Sequence, residues 1–343
     1  MNNELEKILL IGPRNNRMHL DMASGTITLF EDLIKQFDLQ NVKYNVVDTN
    51  KNNYSNFLFA YISIIFQIIF KQKECKYLTL HSSKDFFIFA PLIILIGTLS
   101  AKKTSLRKFG GDLDDIYRTS RKYKRYLLNF ILKNIDILFF ETKYLVKFFS
   151  EYNQNVFWFP NVRSRDLVPN LPRSFHRKFV FMSHIRKEKG IDELIAAIKL
   201  FGTEYTIDIY GLILDKKYTK AFFEQENISY KGALEPQNVL SILNEYDVLI
   251  LPSYKEGYPG IVIEAYSLGI PVITTNLRAI KEIVIPYQTG ILVAPKNVDE
   301  LVKAVRYFNI ENYTAMSYHA NIKFDNFQSG KQSKLYIERI VDV

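Results

Sequence analysis

Short apolar runs alternate with longer helical patterns along this chain of 343 residues, and this alternation limits the folds open to it. Each run is followed by a stretch long enough for a helix that crosses back over the sheet, as parallel strands require. The runs lie at residues 7–12, 43–48, 76–81, 103–109, 135–140, 156–159, 178–183, 205–210, 228–231, 247–251, 271–274 and 290–293. The pattern predicts an α/β protein with doubly wound parallel sheets.

Prolines and arginines interrupt the alternation between residues 160 and 178. Proline clusters mark turns and loops, so we interpret this stretch as a linker between domains. The chain is long enough to bury two cores. We expect a Rossmann-like N-terminal domain at residues 1–165 and a second Rossmann-like domain at residues 166–320. Residues 321–343 lack a strand pattern, and we expect a helical segment there that packs back on the first domain.

The formal net charge of +9 comes from the N-terminal domain. Residues 1–165 hold 24 Lys and Arg against 15 Asp and Glu, whereas residues 166–343 hold 21 of each kind. The basic residues gather in two clusters, Lys102, Lys103, Arg107 and Lys108, and then Arg118, Arg121, Lys122, Lys124 and Arg125. Such clusters favour an anionic membrane surface or a phosphate-bearing partner, with a solvated helix face as the alternative for the second cluster. Neither cluster lies in a nucleic-acid-binding motif, so nucleic acid is not an expected partner.

The cellular location is predicted from three further features. The single cysteine, Cys75, leaves no disulfide framework, which is typical of reducing compartments. Residues 1–11 lack the basic start and apolar stretch of a signal peptide. Residues 51–71 and 86–101 are apolar but contain polar residues or a proline, and we interpret both as buried crossover helices instead of membrane spans. We therefore expect a cytoplasmic protein that binds peripherally to the inner face of the plasma membrane.

A glycine-bearing loop joins the predicted strand 247–251 to a predicted helix, in the run Glu-Gly-Tyr-Pro-Gly-Ile-Val-Ile-Glu-Ala that starts at Glu256. Pro259 suits the first turn of a helix, where free backbone N–H groups offer partial positive charge to phosphate. Glu264 follows Gly260 by four residues, about 6 Å along a helix, which suits a carboxylate that accepts hydrogen bonds from a ribose. Glu256 lies in the loop, nearer the far end of a diphosphate sugar.

This run resembles the signature of the retaining glycosyltransferases of family 4, in which two glutamates are separated by seven residues. Glu256 and Glu264 match that pair, and Gly257 with Pro259 matches the opening of the motif. The resemblance implies the GT-B architecture, in which two Rossmann-like domains face each other across a cleft that holds the active site. It also implies a donor-binding set on the second domain: Glu264, Gly257, Tyr258, Pro259, Gly260, Ile261, Tyr210, Gly211, Leu234, Ser253 and His184.

A second match lies at residues 183–190, where the family has an arginine and then a Lys-Gly pair that opens a helix. Lys189 and Gly190 match the pair, and the resemblance implies that the lysine offsets the negative charge that grows on the departing diphosphate. His184 holds the place of the family's arginine, and Arg186 follows two residues later. The sequence leaves open which of these two contacts the diphosphate. The implied catalytic residues are Glu256, Lys189 and Arg186.

The resemblance is looser in the N-terminal domain, where residues 24–26 stand in the place of the family's glycine-rich first loop. The implied acceptor-side residues are Gly110, Gly111, Asp112, His81 and Asn161. Asp112 and Asp114 form an Asp-x-Asp pair, which binds a metal ion in a different glycosyltransferase fold. In the GT-B architecture a helix N-terminus and basic side chains take the place of that ion, so we expect no metal site and no essential cofactor.

The resemblance implies transfer of a sugar from a nucleotide diphosphate donor, expected to be a UDP-sugar, to a saccharide or lipid-linked saccharide, with retention at the anomeric carbon. The expected setting is the biosynthesis of capsule, exopolysaccharide or O-antigen by a bacterial hexosyltransferase. His184 and the histidine-free loop at residues 107–112 leave a second class open, a catalytically silent subunit that binds a nucleotide sugar or acts as a scaffold. A GT-B-type epimerase is a third class, but the acid and base residues that it needs are not evident.

Overall fold

The computed structural model describes residues 7–16, 25–201, 204–223 and 228–342. The chain divides into two compact units. The first unit comprises Met1–Ser164 and Ser329–Val343, and the second comprises Arg165–Gln328. Each unit contains one six-stranded sheet with helices packed on it. Within the described ranges, no helix combines the length and the apolar composition that a membrane span requires.

Strands and helices follow one another in the predicted order. The strands are β1 (Ile8–Gly12), β2 (Tyr44–Asp48), β3 (Tyr77–Ser82), β4 (Lys103–Lys108), β5 (Ile137–Phe140), β6 (Val156–Trp158), β7 (Lys178–Met182), β8 (Thr206–Tyr210), β9 (Ile228–Gly232), β10 (Val248–Leu251), β11 (Val272–Thr275) and β12 (Gly290–Val293). The helices are α1 (Gly25–Leu39), α2 (Phe57–Lys71), α3 (Phe86–Ser100), α4 (Leu113–Thr119), α5 (Lys122–Asn134), α6 (Lys143–Phe149), α7 (Ile191–Ile198), α8 (Val239–Leu243), α9 (Gly260–Ser267), α10 (Ile280–Ile283), α11 (Val298–Tyr307), α12 (Ile310–Phe324) and α13 (Ser329–Asp342). Each predicted strand is confirmed, with bounds that differ by at most about two residues, the usual uncertainty of element ends.

The first sheet has the strand order β2-β1-β3-β4-β5-β6, and its strands are parallel. Different helices cover its two faces, so the strands are buried on both sides. α2, α3, α5 and α6 pack on one face around a core that includes Ile64, Ile93 and Ile131. α1 and α13 cover the other face with Phe30 and Tyr336. α12 belongs to the second unit, and the chain returns to the first unit at Ser329.

The second sheet has the order β12-β11-β10-β7-β8-β9 and is also parallel. The chain runs from β7 to β8 and β9 on one side and then returns to β10 on the other side of β7. At such a reversal the connections leave neighbouring strands in opposite directions, which opens a crevice beyond their carboxyl ends. The equivalent reversal in the first sheet lies between β1 and β3. Both places are therefore where a ligand site is expected.

Arg107 and Lys108 of β4 are buried, with 0% and 2% of their surface exposed. β4 lies inside the first sheet between β3 and β5, so its side chains are covered by helices on both faces. The sequence interpretation of these two residues as part of an exposed basic cluster is therefore wrong. The second cluster differs, because Arg118, Arg121, Lys122 and Arg125 in and beside α4 and α5 are exposed.

The two apolar stretches form the crossover helices α2 and α3, as predicted. α2 begins at Phe57, where the side chain of Asn56 accepts a hydrogen bond of 2.8 Å from the N–H of Phe59 and caps the helix. The prediction that both helices are buried is wrong for the outer side of α2. Leu58 and Ile62 are 71% and 59% exposed there.

Candidate active site

Two loops of the second unit lie side by side at the carboxyl edge of its sheet, because β7 and β10 are parallel neighbours with Phe179 opposite Val248. The first loop follows β7 and ends at Gly190, and the second follows β10. Gly190 has a φ of +73°, and a Cβ atom there would lie 2.1 Å from the carbonyl oxygen of Pro252. Only glycine allows the two loops to approach so closely. The N–H of Tyr254 also donates to the carbonyl of Glu188 at 2.8 Å.

An ion pair joins the same two loops. Nζ of Lys189 lies 2.6 Å from Oε1 of Glu256, and the two side chains are only 16% and 10% exposed. The short distance and partial burial distinguish this pair from the weak ion pairs of an open surface. The structure thus brings together the two residues that the sequence predicts to act on the diphosphate and on the sugar.

His184 and Arg186 lie in the loop after β7, and both are exposed. Partial burial lowers the pKa of His184, and the positive charges of Arg186 and Lys189 lower it further. The imidazole is therefore mainly neutral at pH 7, where it can either donate or accept a hydrogen bond. Arg186, Lys187 and Lys189 are the basic residues of this loop.

α9 begins at Gly260, directly after Pro259, whose side chain supplies no cap to the helix. Most residues of α9 are buried, and the half-buried ones are Gly260, Ile261 and Glu264. Residues four apart lie on the same face of a helix, so Glu264 lies one turn below Gly260 on the face of α9 that solvent reaches. Glu264 is therefore accessible one turn from the helix N-terminus, where the sequence analysis predicts the ribose contact.

The remaining residues of the loop after β10 differ in exposure. Ser253 is fully buried, and its Oγ has no hydrogen-bond partner among the described residues, while its carbonyl oxygen accepts a bond of 2.6 Å from Thr275. Tyr258 is buried, with its ring at an edge-on angle to Phe327. Pro259 is buried and Gly257 is half-buried. The buried residues of this loop therefore flank the partly buried segment that carries Glu256 and Gly257.

The loop after β8 packs against the loop after β7. A Cβ atom at Gly211, where φ is +151°, would lie 1.8 Å from the carbonyl oxygen of Ser183. The hydroxyl of the preceding Tyr210 lies 3.1 Å from that of Tyr246. Leu234 is half-buried in the loop that follows the edge strand β9. The predicted donor-binding residues thus follow four adjacent strands, β10, β7, β8 and β9, at one edge of the sheet.

The first unit has a cavity of about 820 Å³ at the carboxyl ends of β1, β2 and β3. Its lining includes the polar side chains of Asn50, Asn56, Ser82 and Ser83. Lys51 also lines it, and its Nζ donates to Asp85 and to the hydroxyl of Tyr61, each at 3.0 Å. The polar run at residues 50–53, which follows a strand, could have indicated this cavity, although the sequence analysis did not identify it.

The predicted acceptor-side residues lie at the same edge of the first sheet, but they are not equally accessible. Gly110, with a φ of +91°, donates its N–H to Glu141 at 2.9 Å, and Gly111 and Asp112 are half-buried beside it. Lys108 lies 3.3 Å from Asp112. Asn161 is buried and accepts a hydrogen bond from Arg163.

His81 is completely buried, and its Nε2 lies 3.1 Å from the hydroxyl of Tyr336. Burial, together with the positive charge of Arg107, holds the pKa of His81 well below its usual range. Its Nδ1 has no hydrogen-bond partner in the described part of the chain, and the residue borders the cavity.

Arg107 and Glu141 form a buried charged group that the sequence analysis did not identify. The guanidinium of Arg107 lies 3.8 Å from the centre of the Phe159 ring and donates to the carbonyl of Pro160 at 3.0 Å. Burial lowers the pKa of Arg107 to about 10 and raises that of Glu141, although the charge of Arg107 opposes the latter shift. β4 is mainly polar in sequence, so the strand gave no signal that Arg107 would be buried. Among the described residues, no cluster of three or more His, Cys, Asp or Glu is arranged to hold a metal ion.

Comparison with known proteins connects this arrangement to a fold and a family. The crystal structure of Anabaena Alr3699/HepE in complex with UDP matches with a TM-score of 0.76 over 98% of this chain and 100% of that chain, at 11% identity. At this identity the likeness shows the fold alone, and the fold is the GT-B class of α/β protein. Residues 164–323, just under half of the chain, match the model of the family glycosyl transferases group 1. The second unit therefore carries the sequence pattern of that family.

Curated relatives match between about a third and two fifths of the chain. An uncharacterized 41.2 kDa protein in the cps region of Klebsiella pneumoniae is 30% identical over 125 residues, which cover 36% of this chain and 34% of that protein. The putative teichuronic acid biosynthesis glycosyltransferase TuaC of Bacillus subtilis is 30% identical over 135 residues, 39% of this chain and 33% of that protein. The chain spans about a third of the length of these relatives.

Proposed function

We propose that this protein is a glycosyltransferase that moves a sugar from a UDP-sugar to an acceptor hydroxyl with retention at the anomeric carbon. One observation carries the proposal: at the switch point of the second sheet, Lys189 of the loop after β7 lies 2.6 Å from Glu256, in the loop that leads into α9 and Glu264. The match of the second unit to glycosyl transferases group 1 supports it. HepE, which shares the fold, was crystallised with UDP.

The donor binds along the carboxyl edge of the second sheet. The first-turn N–H groups of α9 and the ammonium of Lys189 hold the diphosphate, because both present positive charge to it. Glu264 accepts hydrogen bonds from the ribose hydroxyls, one turn along α9. Tyr210, at the end of β8, and Leu234, after β9, contact the nucleotide base of the donor. Together these contacts cover the whole length of a nucleotide diphosphate.

Charge stabilisation at the leaving group is the main catalytic contribution of this site. The ammonium of Lys189 has three donors, so it can hold Glu256 and a phosphate oxygen at the same time. Arg186 adds a second positive charge, and Glu256 accepts hydrogen bonds from the donor sugar. As the bond from the anomeric carbon to the phosphate oxygen breaks, that oxygen takes the proton of the acceptor hydroxyl, whose own oxygen forms the new bond on the same face. No separate protein base is needed in this scheme.

The acceptor is a saccharide, in particular one linked to a lipid, and it binds to the first unit. The amide and hydroxyl side chains around the 820 Å³ cavity can form hydrogen bonds with sugar hydroxyls. Gly110, Gly111 and Asp112 end the neighbouring strand β4. The setting that we propose is the biosynthesis of capsule, exopolysaccharide or O-antigen at the cytoplasmic face of the membrane. The names of the relatives from the cps region and from teichuronic acid biosynthesis support a polysaccharide pathway.

A catalytically silent nucleotide-sugar-binding subunit is the second candidate. His184, where the resembled family has arginine, favours it, because a neutral imidazole gives less charge stabilisation to a leaving diphosphate. This candidate shares donor binding with the enzyme but predicts no turnover.

Two measurements on the purified full chain separate the candidates. Thermal-shift screening with UDP, GDP, ADP and a panel of UDP-sugars identifies the donor, and we expect UDP compounds to raise the Tm. UDP release is then measured from each stabilising UDP-sugar in the presence of a bacterial membrane extract, with Glu256→Ala as the control for background hydrolysis. UDP binding without UDP release would support the silent subunit and contradict the enzyme. The absence of stabilisation by any nucleotide would exclude both candidates.

A further inference from the structure

α2 has a second apolar face in addition to the one that packs on the first sheet. Ala60, Ile64 and Ile68 point into the core. The opposite side exposes large apolar side chains, namely Leu58, Phe59, Ile62, Phe66, Ile69 and Phe70. Their spacing of three and four residues places them in one stripe along the helix. A surface helix normally carries polar residues on this side, so a continuous apolar stripe is characteristic of a surface with a binding partner.

The neighbouring helices extend this stripe into a broader surface. α2, α3 and α5 connect successive strands on the same face of the sheet and contribute to one core. Their outer sides also expose apolar groups: Ile88, Leu95 and Leu99 of α3, and Tyr123, Tyr126 and Phe130 of α5. We refer to these six residues and the α2 stripe together as the α2-α3-α5 face.

The three helices of this face carry charges of a single sign. α2, α3 and α5 contain five Lys and Arg, at positions 71, 122, 124, 125 and 133, and no Asp or Glu. Arg118 and Arg121 are exposed next to α5. The acidic residues that flank α2 and α3, Glu74 and Asp85, are paired with Lys7 and Lys51 at 2.8 and 3.0 Å. The surroundings of the apolar surface are therefore basic.

We propose that the α2-α3-α5 face docks on the surface of an anionic lipid bilayer. Apolar and aromatic side chains that enter the interface, with lysines and arginines beside them, are the features of a helix that lies in the membrane plane. Each basic residue near an anionic leaflet contributes further attraction. α2 is 15 residues long, or about 22 Å, which is shorter than the hydrocarbon core of about 30 Å. The helix therefore lies along the bilayer and does not cross it.

A second copy of this chain fits the surface less well than a bilayer does. A two-fold symmetric dimer would place the same patch of both copies in contact. The basic residues of the two α5 helices would then meet, with no acidic residue on the three helices to compensate them. An anionic bilayer supplies the opposite charge as well as an apolar interior.

The cavity of the first unit borders the same face. Phe57 lines the cavity and is exposed at the first turn of α2, directly before the stripe. A lipid-linked molecule in a bilayer under this face would present its polar head at the cavity. This last step rests on the proposed function, whereas the docking itself does not.

Flotation with lipid vesicles tests the docking. The full chain is mixed with vesicles of phosphatidylcholine containing phosphatidylglycerol, and we expect it to float with them and to bind pure phosphatidylcholine more weakly. Ile62→Glu puts a charge in the centre of the stripe and should weaken vesicle binding by about tenfold or more. Leu335→Glu is the matched control, because Leu335 is also an exposed aliphatic residue. It lies on α13, which covers the opposite face of the sheet.

The outcomes are distinct. Failure of the parent protein to float with anionic vesicles overturns the proposal, as does equal flotation of the Ile62→Glu variant. Sedimentation that reveals a dimer dissociated by Ile62→Glu, without vesicle binding, would assign the surface to a second copy instead. Thermal stabilisation by UDP is measured in both variants and should equal that of the parent, which shows that the fold is retained. Vesicle binding without any nucleotide binding would reject the proposed function and leave the docking standing.

Discussion

Nζ of Lys189 and Oε1 of Glu256 lie 2.6 Å apart although 67 residues separate them in the chain. The contact exists because β7 and β10 are neighbours and their loops leave the same edge of the sheet. Both side chains are largely removed from water, so the loss of one partner leaves the charge of the other poorly compensated. Substitution of either residue is therefore expected to change the charge that the other presents to a ligand.

Glu256→Ala should reduce turnover by about a hundredfold or more while it leaves UDP affinity equal to or above that of the parent. The substitution removes a contact to the donor sugar and also frees the charge of Lys189 for the diphosphate. Kinetics of UDP release and a UDP titration measure the two effects, with Glu256→Gln as a control of similar size. Near-parental turnover of Glu256→Ala would contradict the assignment.

Glu264→Ala should weaken UDP binding by about a hundredfold, because two hydrogen bonds from ribose hydroxyls to a carboxylate are lost. The thermal shift caused by UDP should disappear at concentrations that stabilise the parent. Glu245→Ala removes an exposed carboxylate of the same unit and should leave the shift unchanged. Equal UDP affinity in Glu264→Ala and the parent would reject the ribose contact.

Arg186→Ala should lower kcat/KM by about thirtyfold at pH 7, and His184→Ala should have a smaller effect. Arg186 is charged at this pH, whereas the lowered pKa of His184 leaves its imidazole mainly neutral. Steady-state kinetics of both variants with one UDP-sugar decide between them. A larger loss in His184→Ala would move the diphosphate contact to the histidine.

Gly190→Ala should destabilise the second unit by about 2 kcal/mol or more, since a Cβ atom would lie 2.1 Å from the Pro252 carbonyl and φ is +73°. Urea unfolding measures the loss. Gly25→Ala, where no atom lies within 4 Å of the added carbon, serves as the control and should change stability by less than about 0.5 kcal/mol. Equal effects of the two substitutions would argue against the close approach of the loops.

Stability should fall as the pH falls below 6.5, in part because of His81. The pKa of His81 is well below 6.5 in the folded protein, so its imidazole is mainly neutral in both the folded and the unfolded states above pH 6.5. Below pH 6.5 the unfolded chain binds a proton that the folded protein does not bind. This costs about 1.4 kcal/mol per pH unit until the lowered pKa is reached. His81→Gln lacks the titration, so urea unfolding should show the stability difference between parent and variant changing by about 1 kcal/mol from pH 6.5 to 5.5, because half of the unfolded imidazoles are already protonated at pH 6.5. A constant difference would show that His81 titrates normally.

Most of the strands could be predicted because they are short, largely apolar runs, which is the pattern of a parallel strand buried on both faces. β4, with the sequence Lys-Thr-Ser-Leu-Arg-Lys, is an exception. The alternation of strands and helices, together with the family resemblance, allowed Glu256, Glu264 and Lys189 to be predicted as site residues of the second domain. The backbone approaches at Gly190 and Gly211 could not be predicted, because each depends on a strand neighbour that is distant along the chain.

Exposure was harder to predict than secondary structure. A helix that is apolar on all sides has the same sequence pattern whether a protein core or another apolar medium covers it, so the outer stripe of α2 resembled buried residues. Arg107 is the opposite case, because charged residues are normally exposed but this one is buried. Its burial depends on the ring of Phe159 and the carbonyl of Pro160, which come from a different part of the chain.

The first unit is built from both ends of the chain, with the second unit inserted between them. Tyr336 of α13 stacks on Phe159 and contacts His81, so this core is incomplete until the final helix has emerged from the ribosome. The second unit, whose residues are all translated before that helix, can mature earlier. The strands of the first unit are thus translated before the second unit but complete their core only after it, and fragments that stop before Ser329 should lack a stable first unit.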